Sequence, residues 1–187
     1  MGQAGIGKFS ASELRKQLSG KVVSMSPFVN SYSNGFNASA SPKNLETMFQ
    51  LLYLGFTSPR FDESDFNVLM DQYEAAYLNM SSNPNFKAQK ALMATLYQNN
   101  PRRSVLDYDT LDEINYDQLQ SIYSKLYGNA DDFTFTIVGN VDLETLRPLV
   151  EKYLGSLPKT KNGYSWADDG VRYPQGHVVN RFSTPME

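Results

Sequence analysis

A chain of 187 residues that is 41% hydrophobic, 20% charged and 13% aromatic has ordinary globular composition, enough for one sizeable core or two small lobes. Its net charge of −3, with no basic run longer than Arg102-Arg103, argues against nucleic acid as a partner. The absence of cysteine excludes disulfides and thiolate metal sites, and no apolar run approaches the ~20 residues of a membrane-spanning helix.

In chain order, Gly5-Ile-Gly7 reads as a flexible lead, since no strand precedes it and no Lys-Ser/Thr follows as a phosphate loop requires. Ser10 and Glu13 form a capping box for a short helix over 10–19, with Leu14 and Leu18 as its apolar stripe and Gly20 as its stop. Two strands follow, 21–30 and 31–40. Pro27 marks an edge or bend in the first, and Asn34-Gly35 marks a turn or a bulge. Ser41-Pro42 opens a helix over 42–55 with Leu45, Met48, Phe49, Leu52 and Tyr53 on one face. A second helix over 62–80 turns Phe66, Leu69, Met70, Tyr73, Tyr77 and Leu78 inward. A third, over 85–98, does the same with Phe86, Leu92 and Leu96. Residues 110–113 form a short turn, and a helix over 116–127 carries Leu119, Ile122, Tyr123 and Leu126.

The stretch 132–158 has the clearest pattern. Phe133, Phe135 and Ile137 alternate with Thr134, Thr136 and Val138, which predicts a strand. A Gly139-Asn140 turn, an Asp142 cap, a helix with Leu143, Leu146, Leu149, Val150, Tyr153 and Leu154 inward, and a left-handed stop at Gly155 complete it. A short strand is expected near 177–182. Segregated helices and strands predict an α+β fold, with helices on one face of a largely antiparallel sheet.

Catalytic chemistry is hard to find. His177 is the single histidine, and alone it can neither build a His-based zinc site nor serve a serine nucleophile without an elbow motif. Neither His-Glu-x-x-His nor His-x-x-Glu-His occurs. The acidic groups Asp62/Glu63/Asp65, Asp107/Asp109/Asp112/Glu113, Asp131/Asp132 and Asp168/Asp169 sit at predicted helix starts and loops, where capping and solvation account for them. Asp107-Tyr-Asp109 lacks the glycine and terminal Glu of a calcium loop. The helical tyrosines read as the polar-tipped rim of a core. A glycine turn feeding a helix N-terminus is a common anion site, but Asp142 already places negative charge there.

Three blocks carry a resemblance. They are Gly5–Lys21 (GIGKFSASELRKQLSGK), Ser41–Leu54 followed by Phe56-Thr-Ser-Pro-Arg60, and Leu111–Pro158 with its strand–Val-Gly-Asn-Val-Asp–helix–Tyr-Leu-Gly-Ser-Leu-Pro core. Together they resemble the pitrilysin/insulinase family of zinc metallopeptidases, and the first is similar to the third repeat of large bacterial single-chain members. The resemblance implies an α+β repeat in which two halves make a domain and four domains enclose a chamber. Residues 5–100 would be the later part of a first half-repeat and 111–187 the start of the second, so that 1–187 is a single excised fragment of an inactive repeat. It further implies that zinc and peptide hydrolysis belong to another domain of the parent, on a His-x-x-Glu-His absent here. The family's substrate-touching Arg and Tyr have no match either, since Arg172-Tyr173 is adjacent rather than spaced. No catalytic, cofactor-binding or metal-ligating residue therefore transfers. The expected role is part of the chamber wall. The expected partners are the other repeats of the polypeptide and the parent's peptide substrate, held by strand addition at the Val22–Met25 or Phe133–Val138 edges. Self-association of the isolated fragment is also expected. The alternative is a zinc-free scaffold subunit of the same superfamily.

Overall fold

The computed structural model describes residues 4–160 and 165–181. In chain order the elements are β1 (Gly5–Ile6), α1 (Ala11–Gln17), β2 (Val23–Val29), β3 (Asn34–Ala40), α2 (Leu45–Thr57), β4 (Pro59–Arg60), α3 (Glu63–Ser81), α4 (Pro84–Leu96), α5 (Tyr116–Tyr127) and α6 (Leu143–Leu149). They form two compact units. The first runs up to Phe66 and resumes at Tyr116; the second takes Asn67–Asn115 and the segment from Ser165. The architecture is α+β, helices with antiparallel strand pairs, as the segregation of elements predicts.

In the first unit, β2 and β3 form an antiparallel hairpin with Val23 opposite Ala40 and Val29 opposite Asn34. The turn lies at Asn30–Ser33, where the Asn30 N–H donates to the Ser33 carbonyl at 2.7 Å. Asn34-Gly35 is therefore strand rather than turn. Gly35 is needed there because the Phe28 ring lies 2.9 Å from where its Cβ would stand. Pro27 sits mid-strand, which a two-stranded ladder tolerates because each strand has one unpaired edge.

Helix α2 lies on this hairpin. A Pro42–Asn44 3₁₀ turn leads into it, and Met48, Phe49, Leu51, Leu52 and Phe56 are buried along it. Full burial of each such side chain contributes roughly 1.5–3 kcal/mol. Three apolar clusters result: Ile6, Leu14 and Met25 with Leu51 and Leu52; Met48 and Phe49 with Tyr153; Phe56 with Ala130 and Leu157. Gly55 lets the sheet approach the helix, since a Cβ there would meet Met25 Cε at 2.9 Å and the Phe36 ring at 3.2 Å. The capping box at α1 is present, with the Ser10 N–H donating to Glu13 at 2.9 Å and the Glu13 N–H to Ser10 Oγ at 3.4 Å.

Several local expectations change. Gly5-Ile-Gly7 is not a flexible lead: β1 pairs with β4, Ile6 is fully buried, and the Gly7 N–H donates to the Ser58 carbonyl at 2.8 Å. Phe133 is extended (φ −111°, ψ 141°), yet Phe133–Val138 joins no ladder among the described residues. Alternation reports a pleated chain with one apolar side, and pairing additionally requires a neighbouring edge. The expected strand near 177–182 likewise has no ladder over 177–181, and Phe182 lies outside the described residues. Gly155 is right-handed (φ −65°, ψ −20°) because α6 ends through a π turn, Val150–Leu154, with the Gly155 N–H donating to the Val150 carbonyl at 2.9 Å. Glycine serves closeness there: a Cβ would meet the Glu151 carbonyl oxygen at 2.8 Å. Pro148, lacking an N–H, sits just before this irregular turn.

The second unit is built on the body of α3 and on α4. Asn83 caps α4 by accepting from the Asn85 N–H at 2.9 Å, and Pro84 takes the first helical position. Phe86 and Leu111 are buried; the predicted turn at 110–113 is a longer 3₁₀ stretch, Tyr108–Glu113. The inward faces predicted for these helices are mostly half-buried instead. No α3 residue is buried, and Tyr73, Leu78 and Leu92 are exposed. Helical periodicity shows which face is apolar and leaves open how much of it is covered.

Candidate functional site

The residues singled out for chemistry have local structural tasks. Asp62 accepts from Arg60 Nε at 2.9 Å, and Asp131 pairs with Lys159 at 3.2 Å. Asp132 accepts from Asn129 Nδ2 at 2.9 Å. The buried Asp107 caps the 3₁₀ stretch by accepting from the Thr110 N–H at 3.2 Å, and it pairs with Lys90. Asp168 pairs with Arg172, and Asp169 accepts from the Val171 N–H at 3.0 Å. Asp142 accepts from the Thr145 N–H at 2.7 Å, and that bond holds its carboxyl below the usual range. His177 is exposed.

Among the described residues no three of His, Cys, Asp and Glu gather as a metal would need. The donor set does not fit the zinc that the resemblance implies elsewhere in the family, and no chemical step is derived through it. No helix is long and apolar enough to cross a membrane.

The tyrosines are built into the first unit's interior. Tyr123 donates to the Gly55 carbonyl and Tyr127 to the Phe28 carbonyl, both at 2.8 Å. Their rings stack with Phe36, Phe56 and Phe133 at centroid distances of 4.5–6.0 Å. Burial pushes both phenols above their ordinary value, most strongly Tyr123. This joins α5 to both strands of the hairpin through its polar tips.

What the sequence did not show is a groove of about 510 Å³ in the first unit. One wall is β3. The other is the extended stretch 132–141. The floor is the apolar face of α2, including Met48, Phe49, Leu52 and Phe56. Asp132 is the one ionisable residue among its lining, so the groove holds no acid–base pair and suits binding rather than catalysis. The signal for it was present as the Phe133–Val138 alternation, which implies a sheet edge but gives no partner.

Comparison with known proteins gives concordant results. Residues 113–185 match the family model described as Peptidase M16 inactive domain. The chain is 26% identical over 154 residues to the probable zinc protease PqqL of Escherichia coli, covering 82% of this chain and 16% of that protein. It is 20% identical over 186 residues to the Haemophilus influenzae PqqL, covering 98% of this chain and 20% of that one. It therefore spans about a sixth to a fifth of the length of these curated relatives. Among solved structures, the periplasmic protease PqqL from Escherichia coli superposes with a TM-score of 0.73 at 25% identity, over 85% of this chain and 18% of that one. The ferredoxin protease FusC, in complex with Arabidopsis ferredoxin, superposes with a TM-score of 0.69 at 18% identity, over 90% of this chain and 18% of that one; this likeness concerns the fold alone. The chain is a homologue of the M16 zinc proteases, the pitrilysin-like family, and its latter part matches their inactive domain.

Proposed function

We propose that residues 1–187 form a non-catalytic part of a larger zinc metalloendopeptidase, with zinc held in another domain and this region contributing wall to the chamber in which peptides are cut. The observation that carries this reading is the match of 113–185 to an inactive peptidase domain within a chain related to probable zinc proteases. The absence of His-x-x-Glu-His and of any clustered ligand set among the described residues accords with it. On this reading the chain's partners are the other repeats of the same polypeptide and the parent's peptide substrate. Residues 1–187 are then one excised piece of an inactive repeat, about 5–100 from its first half and 111–187 from its second.

The test is to measure zinc content and peptide hydrolysis on residues 1–187 and on the whole polypeptide. The expected result is no stoichiometric zinc and no hydrolysis for the former, and both for the latter. Tight zinc with measurable proteolysis in residues 1–187 would overturn the proposal. A whole polypeptide without zinc would replace it with the scaffold reading.

A further inference from the structure

We infer that the groove of the first unit is an open strand position, and that a strand of the same polypeptide lying outside these 187 residues occupies it. The inference concerns the sheet and stands whether or not the parent hydrolyses peptides. Three observations meet here.

First, β3 is hydrogen-bonded to β2 on one side only. The groove takes nearly all of β3 into its wall but only Phe28 from β2, so the unpaired edge of β3 is the one that faces it. Second, the opposite wall carries strand chemistry without strand pairing. The Phe133 N–H donates to the Ala130 carbonyl at 3.2 Å, and beyond it no backbone hydrogen bond is made by Thr134–Val138 among the described residues. The wall is nevertheless fixed at one end, because the Phe133 ring packs on Phe56 at 4.9 Å. Third, the floor between the walls is core-forming α2, with Phe49 fully buried and Phe56 nearly so. Two open edges flanking an apolar helix face describe a β-strand as the missing piece: its main chain bonds to both walls and its alternate side chains rest on α2. Matching the seven residues of β3 requires a strand of about 23 Å at ~3.3 Å per residue. With Asp132 the one ionisable lining group, the incoming face is uncharged and apolar.

The source follows from the same geometry. A transient peptide adds to one exposed edge and leaves from it. A strand here would be bonded along both edges and seated on core residues, and its exchange would open the core. A permanent segment of the polypeptide satisfies this. The relatives are five to six times longer than this chain, so such length exists in them.

The experiment is hydrogen exchange by mass spectrometry on the whole polypeptide, with the α2 amides around Leu51 as internal reference, alongside a double variant Ala38→Cys/Thr136→Cys. Occupation predicts that the Thr134–Val138 amides exchange at least 100-fold more slowly than expected for open chain, without added peptide and independently of concentration. It also predicts no disulfide between the two introduced cysteines under mild oxidation. Walls separated by one strand stand ~9.6 Å apart, beyond the ~7 Å limit for a bridge. Open-chain exchange at Thr134–Val138 would overturn the inference. So would disulfide formation, which would mean that the walls pair directly. Protection that appears only with an added casein peptide would assign the groove to substrate. Protection that rises with protein concentration would assign it to a second copy. Either result overturns the inference, and neither depends on zinc or hydrolysis.

Discussion

Three substitutions in the first unit separate packing from polar satisfaction. Phe49 is fully buried between the hairpin and Tyr153, with ring centroids 6.3 Å apart, so Phe49→Ala is expected to cost about 3–5 kcal/mol in chemical denaturation. Tyr127→Phe keeps the ring and removes the hydroxyl that serves the Phe28 carbonyl, for an expected loss of about 1–3 kcal/mol. Gly55→Ala opposes two effects. Alanine favours the helix by about 1 kcal/mol, but its methyl would meet Met25 and Phe36 inside contact distance. Overpacking of this kind costs about 1–3 kcal/mol, so net destabilisation is expected, and a raised midpoint would show that the side chains give way instead. The titrating groups set the pH limits. Lys152, and then Tyr153, bonds to Glu46 and lowers its carboxyl from 4.5, and the Thr145 N–H lowers Asp142 from 3.8. A lowered carboxylate stabilises the fold above its unfolded value and stops doing so as pH falls through the folded one. Stability should therefore decline below about pH 4.5, less steeply in Glu46→Gln. Tyr123 and Tyr127 act oppositely: their raised phenols favour the neutral form, so stability should fall as pH rises above 10.

At the scale of elements, capping signals were the most legible. Ser10, Asn83 and Asp142 each cap the helix that the sequence assigned to them, because a cap depends on neighbours two or three residues away. Asp142→Ala should fray α6 and speed amide exchange at Leu143–Leu146 while leaving α2 protected. The hairpin was legible as two strands, but its turn lies at Asn30–Ser33 and not at Asn34-Gly35. The reason is a long-range one: Phe28 needs the space above Gly35. The same limit explains Gly155, which accommodates a nearby carbonyl rather than a left-handed turn. It also explains Phe133–Val138, whose alternation is local while a ladder partner is not. The groove was invisible for that reason: no single segment contains it. Residue types and motif order carried the family resemblance, which needs no knowledge of pairing.

Across the whole molecule, the described surface keeps large apolar side chains in water. Val68, Leu78, Leu92 and Leu143 are each more than half exposed, and Trp166 is 89% exposed. Such residues in quantity mark surfaces that meet other protein. Residues 1–187 alone should therefore self-associate at high concentration, and light scattering that shows a clean monomer there would count against this. The chain's path between its two units has a temporal consequence. The first unit closes only when Tyr153 reaches Phe49 and Leu157 reaches Phe56, contacts 104 and 101 positions apart (153 − 49 and 157 − 56). At a synthesis rate of ~5–20 residues per second, the apolar face of α2 waits roughly 5–20 s for its cover while the second unit's helices are still being made. During that interval the nascent α2 is a ready client for a holding chaperone, and slowing translation between Asn67 and Asn115 should lengthen its dependence on one.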